Sequence, residues 1–212
     1  MIRLGLVGYP LDHSLSPVLH QAALKVNGLQ GEYALYSVHP TSQNTLPDLV
    51  GSVRSGEIHG LNITIPYKQA ITRHLDGLTP AASAIGAVNT VYSRDGRAVG
   101  DNTDFAGFLA DLQAWGSNPG SSIVLGTGGA ARAVVYALRQ MGCRMTLASR
   151  RLDKARELAE QFPDVTAIPL TDEALRGLDP DLLINATPAG MFPDVDGWAW
   201  PERLPLPQTA AI

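Results

Sequence analysis

Lysine is scarce in this chain: three residues against thirteen arginines, so a lysine among clustered polar groups is not its default cation. Lys68 closes the segment Asn62-Ile63-Thr64-Ile65-Pro66-Tyr67-Lys68, in which Pro66 reads as the first residue of a helix and Lys68 as its third. A positive charge there works against the helix dipole by roughly 0.3–1 kcal/mol, and the same field favours the neutral amine. An amine can exchange a proton with a hydroxyl, which a guanidinium cannot. Asp104 opens a later helix from Gly100-Asp101-Asn102-Thr103-Asp104, where it and Thr103 could serve only as caps. Near the N-terminus, Ser16 reads as an N-cap with Pro17 at the first helical position, worth about 1 kcal/mol. That structural role explains Ser16 and leaves Ser14 idle, and a helix start with extra hydroxyls also suits a carboxylate. Asn62 and Thr64 lie two apart on a strand and so point from one face at its C-terminal end. Taken singly, Asn62, Thr64, Asn89 and Asn102 are more often turn and cap residues.

A second chemistry lies further along. Ser122-Ile123-Val124-Leu125-Gly126-Thr127-Gly128-Gly129-Ala130-Ala131 runs from a strand straight into a helix, and Gly126, Gly128 and Ala131 fit G-x-G-x-x-G/A. Glycines there permit the tight turn and let backbone N–H groups approach a pyrophosphate at the helix N-terminus. An NAD site carries Asp or Glu about 20 residues on, at the end of the next strand. This chain has Ser149-Arg150-Arg151 instead, with Lys154 one turn later. Two planar guanidiniums suit a 2′-phosphate, and cations at a helix start are otherwise unfavourable. The pattern selects NADP(H) over NAD(H).

The elements that must position these groups alternate. Strand 2–8 leads to a helix from Ser16 with Val18, Leu19, Ala22, Ala23 and Val26 on one face and Asn27-Gly28 as its stop. Strand 32–38, helix 46–54, strand 58–64 and helix 66–75 follow, then strands 88–93 and 98–101 around the turn Arg94-Asp95-Gly96. A helix from Phe105 to about Trp115 repeats apolar residues that make Phe105, Phe108 and Trp115 core. After a Gly/Pro loop the alternation resumes with strand 122–126, helix 130–141, strand 145–149, helix 152–161, strand 165–169, helix 172–177 and strand 182–186. The fold class is α/β with a mostly parallel sheet in each half, the second half of Rossmann type. The halves are expected as 1–104 and 105–212.

Six ordered segments now stand together: residues 8–17, 62–68, 85–90, 100–104, 125–130 and Asn185-Ala186-Thr187-Pro188-Ala189-Gly190-Met191. Their order and content closely resemble the shikimate dehydrogenase family. The resemblance implies NADPH-dependent interconversion of 3-dehydroshikimate and shikimate, on the route to aromatic amino acids. It implies Lys68 and Asp104 around the reacting hydroxyl, Ser14 and Ser16 on the substrate carboxylate, and Asn62, Thr64 and Asn89 on the hydroxyls. On the cofactor side it implies Gly126, Thr127, Gly128, Gly129, Ala130, Ser149, Arg150, Arg151, Lys154, Asn185 and Thr187. Asn102 receives no ligand contact. Tyr9, Gln21 and Ser149 stand where relatives more commonly carry Asn, and Ser149 loses an amide near the adenosine ribose. Two readings stand beside this one: a quinate/shikimate dehydrogenase, in which NAD use would be more frequent, and a non-catalytic NADP-binding relative. A methylenetetrahydrofolate dehydrogenase would share the glycine loop but has no need for Ser14 and Ser16 beside Lys68 and Asp104.

Composition bounds the rest. The chain has 212 residues, 45% hydrophobic and 17% charged, which is ample apolar material for a core and argues against disorder. A single cysteine, Cys143, excludes a disulfide framework and a Cys-based zinc site. His13 and His20 have no third ligand at metal spacing, so no metal is expected and His13 reads as a turn hydrogen-bonder. A net charge of −4 offers no broad footprint for nucleic acid or an anionic membrane. With no signal-peptide pattern and no apolar run of about 20 residues, the chain is expected to be soluble and cytoplasmic. A homodimer is compatible with this reading. The last residues, Gln208-Thr209-Ala210-Ala211-Ile212, are small and apolar with no polar tail. The resemblance implies that they start a strand in a dinucleotide domain short of its last strand or strands, with a substrate-binding Gln and further helices beyond.

Overall fold

The run Ile2-Arg3-Leu4-Gly5-Leu6-Val7-Gly8 forms strand β1, and its last residues are buried on both sheet faces. The computed structural model describes residues 1–212 except Gln43, Asn44, Pro193, Thr209 and Ile212, so the expected strand start at 209–212 lies partly outside the described residues. Two compact units emerge, Met1–Thr103 and Asp104–Ile212.

In the first unit, β1 is followed by helix α1 (Ser16–Val26), β2 (Gly31–Ser37), α2 (Thr45–Arg54) and β3 (Gly60–Ile63). Then come β4 (Gly77–Leu78), α3 (Pro80–Ile85), β5 (Thr90–Arg94) and β6 (Arg97–Asp101). The six strands lie in the order β2-β1-β3-β5-β6-β4. β1 runs parallel to β2 and β3, while β5 is antiparallel to β3 and β6. The β5–β6 hairpin turns at Asp95 and Gly96, both at positive φ, with Arg94 opposite Arg97, which is the two-residue loop that matches strand twist. Val50, Val53, Leu61, Ile63, Tyr67, Ile71 and Val91 form its main core.

Three expectations fail here. No helix spans 66–75: the N–H of Tyr67 bonds the carbonyl of Thr64 at 2.9 Å, closing a turn around a cis Ile65–Pro66 bond. Only a short 3₁₀ segment, Ala70–His74, follows. α1 does not bury its predicted stripe, because Val18, Leu19 and Val26 are exposed and Leu24 is the residue it buries. Periodicity reports which residues share a helix face and not what covers that face. β4 and α3 fall between the elements read from the sequence: β4 is too short to show alternation, and α3 is capped by Thr79 with Pro80 inside its first turn.

The second unit opens with α4 (Asp104–Ala114) and continues β7 (Ser121–Leu125), α5 (Gly129–Gln140), β8 (Arg144–Ser149) and α6 (Leu152–Ala159). β9 (Val165–Pro169), α7 (Asp172–Leu175), β10 (Leu182–Asn185) and β11 (Ala210–Ala211) complete it. The five strands are all parallel in the order β11-β10-β7-β8-β9. The order reverses between β7 and β10, and open α/β sheets bind ligands at the carboxyl ends of strands at such a switch point. Ala131, Val134, Val135, Leu138, Leu147 and Leu158 pack one face, with Phe108 against them. Leu175, Leu183 and Trp200 pack the other. Phe105 meets Tyr136 edge to face at 5.0 Å, but Trp115 is 60% exposed and is not core. It lies one residue past the end of α4 at Ala114, outside the periodicity that the helix imposes.

Candidate active site

The first unit gathers its polar residues at the carboxyl ends of β1 and β3. Leu6 is opposite Asn62 and Val7 opposite Ile63 in the parallel register, so Asn62 and Thr64 emerge beside the end of β1. Gly8 makes this approach possible: a Cβ there would run into Thr64 and meet Ile65 O at 3.0 Å. Beyond it, Tyr9 N–H bonds Ile65 O at 2.9 Å, tying the loop that carries Ser14 to the turn that carries Lys68.

That turn is anchored from below. Tyr67 is 1% exposed and its hydroxyl donates to Val38 O at 2.5 Å. Burial pushes its phenol above the ordinary tyrosine range. Lys68 follows it, half-buried, with its carbonyl accepting from Val88 N–H at 2.7 Å. Ile63 N–H bonds Asn89 O at 2.7 Å and Asn89 N–H bonds Asp101 O at 3.0 Å. The backbone thus stitches Lys68, Asn62, Asn89 and the 101–103 loop to one sheet end. The Asn89 side chain adds to this, its amide donating to Thr103 Oγ1 at 2.9 Å and accepting from Thr103 N–H at 2.9 Å. Asp104 comes next in the chain. Asn102 is 1% exposed and its amide donates to Ala87 O at 3.0 Å, a purely structural bond.

The serines exchange the roles read from the sequence. Ser16 is the first helical residue and not the cap; Leu15 holds the cap position without a side-chain bond. Ser14 is the residue in use, its Oγ accepting the Ser16 N–H at 3.3 Å. Lys68 likewise loses its place at a helix third position, so the helix-dipole argument for its amine has no basis here.

Two aromatic residues escaped the sequence reading. Tyr33 on β2 is 7% exposed and donates its hydroxyl to Asn62 Oδ1 at 2.8 Å. Burial drives its phenol up to about 12, and the Ser16 side chain pulls it partly back. The His20 ring stacks on it at 4.3 Å and 7°. A buried tyrosine must satisfy its hydroxyl, and that was the signal available. Tyr67 is the other: read only as a neighbour of Lys68, it is the anchor of the whole turn.

In the second unit, β7 is followed at once by Gly126, whose φ is +111° and whose Cβ position would meet Ala186 O at 3.0 Å. Gly128 caps α5 with no side-chain bond, and the first helical donor is Arg132 N–H to Gly128 O at 3.0 Å. The N–H groups of Gly129, Ala130 and Ala131 therefore open toward the space before the helix. A Cβ at Gly128 would have nothing within 4 Å, which leaves room there for a phosphate. At the end of β10, Asn185 and Thr187 bond each other, Oγ1 to Oδ1 at 2.6 Å, and close the loop back onto Ala189. Ser149 is buried, its Oγ accepting Arg151 N–H at 3.1 Å, so it shapes the turn in which Arg150 and Arg151 stand exposed. Lys154 is engaged by Glu157 at 2.9 Å, an exposed i,i+3 pair worth roughly 0.2–0.5 kcal/mol. Backbone donors, a glycine cradle and two guanidiniums without a carboxylate partner among the described residues fit an adenine dinucleotide phosphate.

Residues 6–91 match the shikimate dehydrogenase substrate binding domain, and residues 114–192 match shikimate / quinate 5-dehydrogenase. The chain is 44% identical over 191 residues to the shikimate dehydrogenase (NADP(+)) of Oleidesulfovibrio alaskensis, covering 90% of this chain and 66% of that protein. To a Thermus thermophilus enzyme of the same name it is 42% identical over 208 residues, covering 98% and 73%. The crystal structure of a shikimate 5-dehydrogenase from Thermus thermophilus with NADP(H) and shikimate superposes with a TM-score of 0.82 at 41% identity, over 95% of this chain and 74% of that one. The Listeria monocytogenes shikimate 5-dehydrogenase, solved with shikimate and NAD, gives 0.80 at 28% identity, over 95% and 73%. The chain spans about two thirds to three quarters of the length of these relatives. No helix among the described residues is long and apolar enough to cross a membrane.

Proposed function

The chain belongs to the shikimate dehydrogenase family, and from that premise we propose that it interconverts 3-dehydroshikimate and shikimate with NADP(H). The single observation that carries this reading is the sheet end of the first unit, where Ser14, Ser16, Asn62, Thr64, Lys68 and Asn89 are held by backbone bonds around β1 and β3. Bound NADP(H) supplies the hydride. Ser14 and Ser16 hold the carboxylate, and Asn62, Thr64 and Asn89 hold the hydroxyls. Lys68, working with Asp104, gives a proton to the reacting oxygen in reduction and takes it back in oxidation. In the second unit Gly126, Thr127, Gly128, Gly129 and Ala130 cradle the pyrophosphate. Arg150 and Arg151 hold the 2′-phosphate, while Ser149, Lys154, Asn185 and Thr187 shape the loops around the cofactor.

A second reading, a quinate/shikimate dehydrogenase, is favoured by the name of the family matched over 114–192. The Arg150–Arg151 pair favours NADP and weighs against it. Steady-state rates with shikimate and quinate, each with NADP⁺ and NAD⁺, decide between the two. We expect NADP⁺ reduction with shikimate to dominate, and a preference for quinate with NAD⁺ overturns the assignment. The same reading places the chain in the cytoplasm. It extends to a homodimer, supported by the exposed apolar side chains of Leu15, just before α1, and Val18, Leu19 and Val26 on it, and tested by sedimentation velocity.

A further inference from the structure

Three consecutive side chains in the loop that ends β6 each reach back to the segment built on α3. Asp101 Oδ1 accepts the hydroxyl of Thr79 at 2.6 Å, and the Asn102 amide donates to Ala87 O at 3.0 Å. Thr103 bonds both ends of the Asn89 amide at 2.9 Å. The first bond ties the start of α3, and the other two tie the chain that leaves its end. Thr79 Oγ1 accepts the Ala82 N–H at 3.2 Å as the N-cap of α3, and its one proton goes to Asp101. A cap needs only an acceptor, and Asp would serve as well, so the donated proton is surplus to capping. Its distance is that of a hydroxyl bonded to a carboxylate, among the stronger hydrogen bonds. The same Asp101 oxygen also takes the Asn102 N–H at 2.8 Å, so it joins the cap of α3 to the backbone of the loop. A helix of six residues is marginal alone, and these bonds set where it stands against the loop.

We propose that Thr79 and Asp101 are positioning residues for substrate binding, their bond fixing the 101–103 loop against α3 so that Thr103 holds the Asn89 amide in place. This rests on the reading that Asn89 meets a hydroxyl of shikimate. Both residues act through Asn89 and not on the substrate. A group that must meet a ligand hydroxyl within a few tenths of an ångström depends on such support, because a looser amide pays its ordering cost when the ligand binds.

The test is calorimetric titration of the full chain with shikimate and, separately, with NADP⁺. Thr79→Asp keeps an acceptor for the Ala82 N–H but has no proton for Asp101, and is expected to weaken shikimate about 10-fold. NADP⁺ affinity stays unchanged. Thr79→Ser keeps both bonds and retains the parent affinity. Asp101→Ala leaves the cap in place and is expected to weaken shikimate to the same extent, so the measurement stands even if Thr79→Asp fails to fold. In an Asn89→Ala background neither substitution costs anything further, because the group they position is gone, whereas a general loosening would weaken both backgrounds alike. Parent affinity in Asp101→Ala, where Asn89→Ala binds weakly, overturns the proposal. So does a loss that persists in full in the Asn89→Ala background. Asn89→Ala that itself leaves shikimate affinity unchanged overturns the underlying reading of the site and the positioning role with it.

Discussion

Tyr67→Phe isolates the anchor under Lys68. The ring of Tyr67 is 1% exposed and stays in place in the variant, so no cavity opens. What disappears is the donor to Val38 O, a carbonyl in a residue that is itself 6% exposed and therefore out of reach of replacement water. An unmatched buried acceptor costs about 1–3 kcal/mol, against near zero had both partners been removed. Taking about 2 kcal/mol and a urea slope of roughly 1–3 kcal/mol per molar, the unfolding midpoint falls by roughly 1 M with the slope unchanged. Far-UV circular dichroism in urea reads this directly. A midpoint within error of the parent refutes the claim that the Val38 carbonyl depends on this hydroxyl. A changed slope would show instead that the variant had altered the compactness of one of the two end states.

Three further outcomes are expected. Arg150→Ala and Arg151→Ala each remove a charged hydrogen-bond donor worth about 1.5–3 kcal/mol, so each weakens NADP⁺ by roughly 10- to 150-fold and leaves NAD⁺ nearly unchanged in equilibrium titrations. Ser14→Ala is expected to raise the KM for shikimate with little effect on kcat, because a carboxylate is bound alike in ground and transition states. Stability falls on acidification in two stages, read as Tm against pH. Burial, then Arg73 and Arg54, hold His74 below its ordinary value of 6.5, so stability present above pH 6.5 is lost as pH falls toward the lower folded value. The Arg54 hydrogen bond at 2.7 Å, then the Ala98 N–H, hold Asp76 below 3.8, so its contribution is present above that value and is lost below it. Arg54→Ala lowers Tm at neutral pH and flattens the acid stage, and an unchanged acid profile would contradict the assignment.

The dinucleotide half was legible because its signals are local. Ile123, Val124 and Leu125 are a short continuous apolar run that ends at a glycine, and a parallel strand buried on both faces looks like nothing else when a helix follows at once. The β5–β6 hairpin was legible for the same reason, Asp95-Gly96 being the turn chemistry itself. What resisted were features settled by distant partners. Pro66 is equally at home at a helix start and in a turn, and the bond from Tyr67 to Val38, 29 residues away, favours the turn. Ser14 and Ser16 are both good caps, and their spacing alone does not say which hydroxyl turns toward the chain. Ser149 reads as a lost amide, whereas its hydroxyl holds the backbone of Arg151. Tyr33 was invisible because alternation on β2 marks a buried aromatic without revealing that its hydroxyl meets Asn62 on β3.

The most direct test of the proposed activity is absorbance at 340 nm with shikimate and NADP⁺, comparing the chain with its Lys68→Ala variant. If Lys68 moves the proton of the reacting hydroxyl, the parent reduces NADP⁺ and the variant turns over roughly 10²- to 10⁴-fold more slowly, with NADP⁺ affinity nearly intact. Equal turnover in parent and variant, or no NADP⁺ reduction by the parent at saturating shikimate, contradicts it.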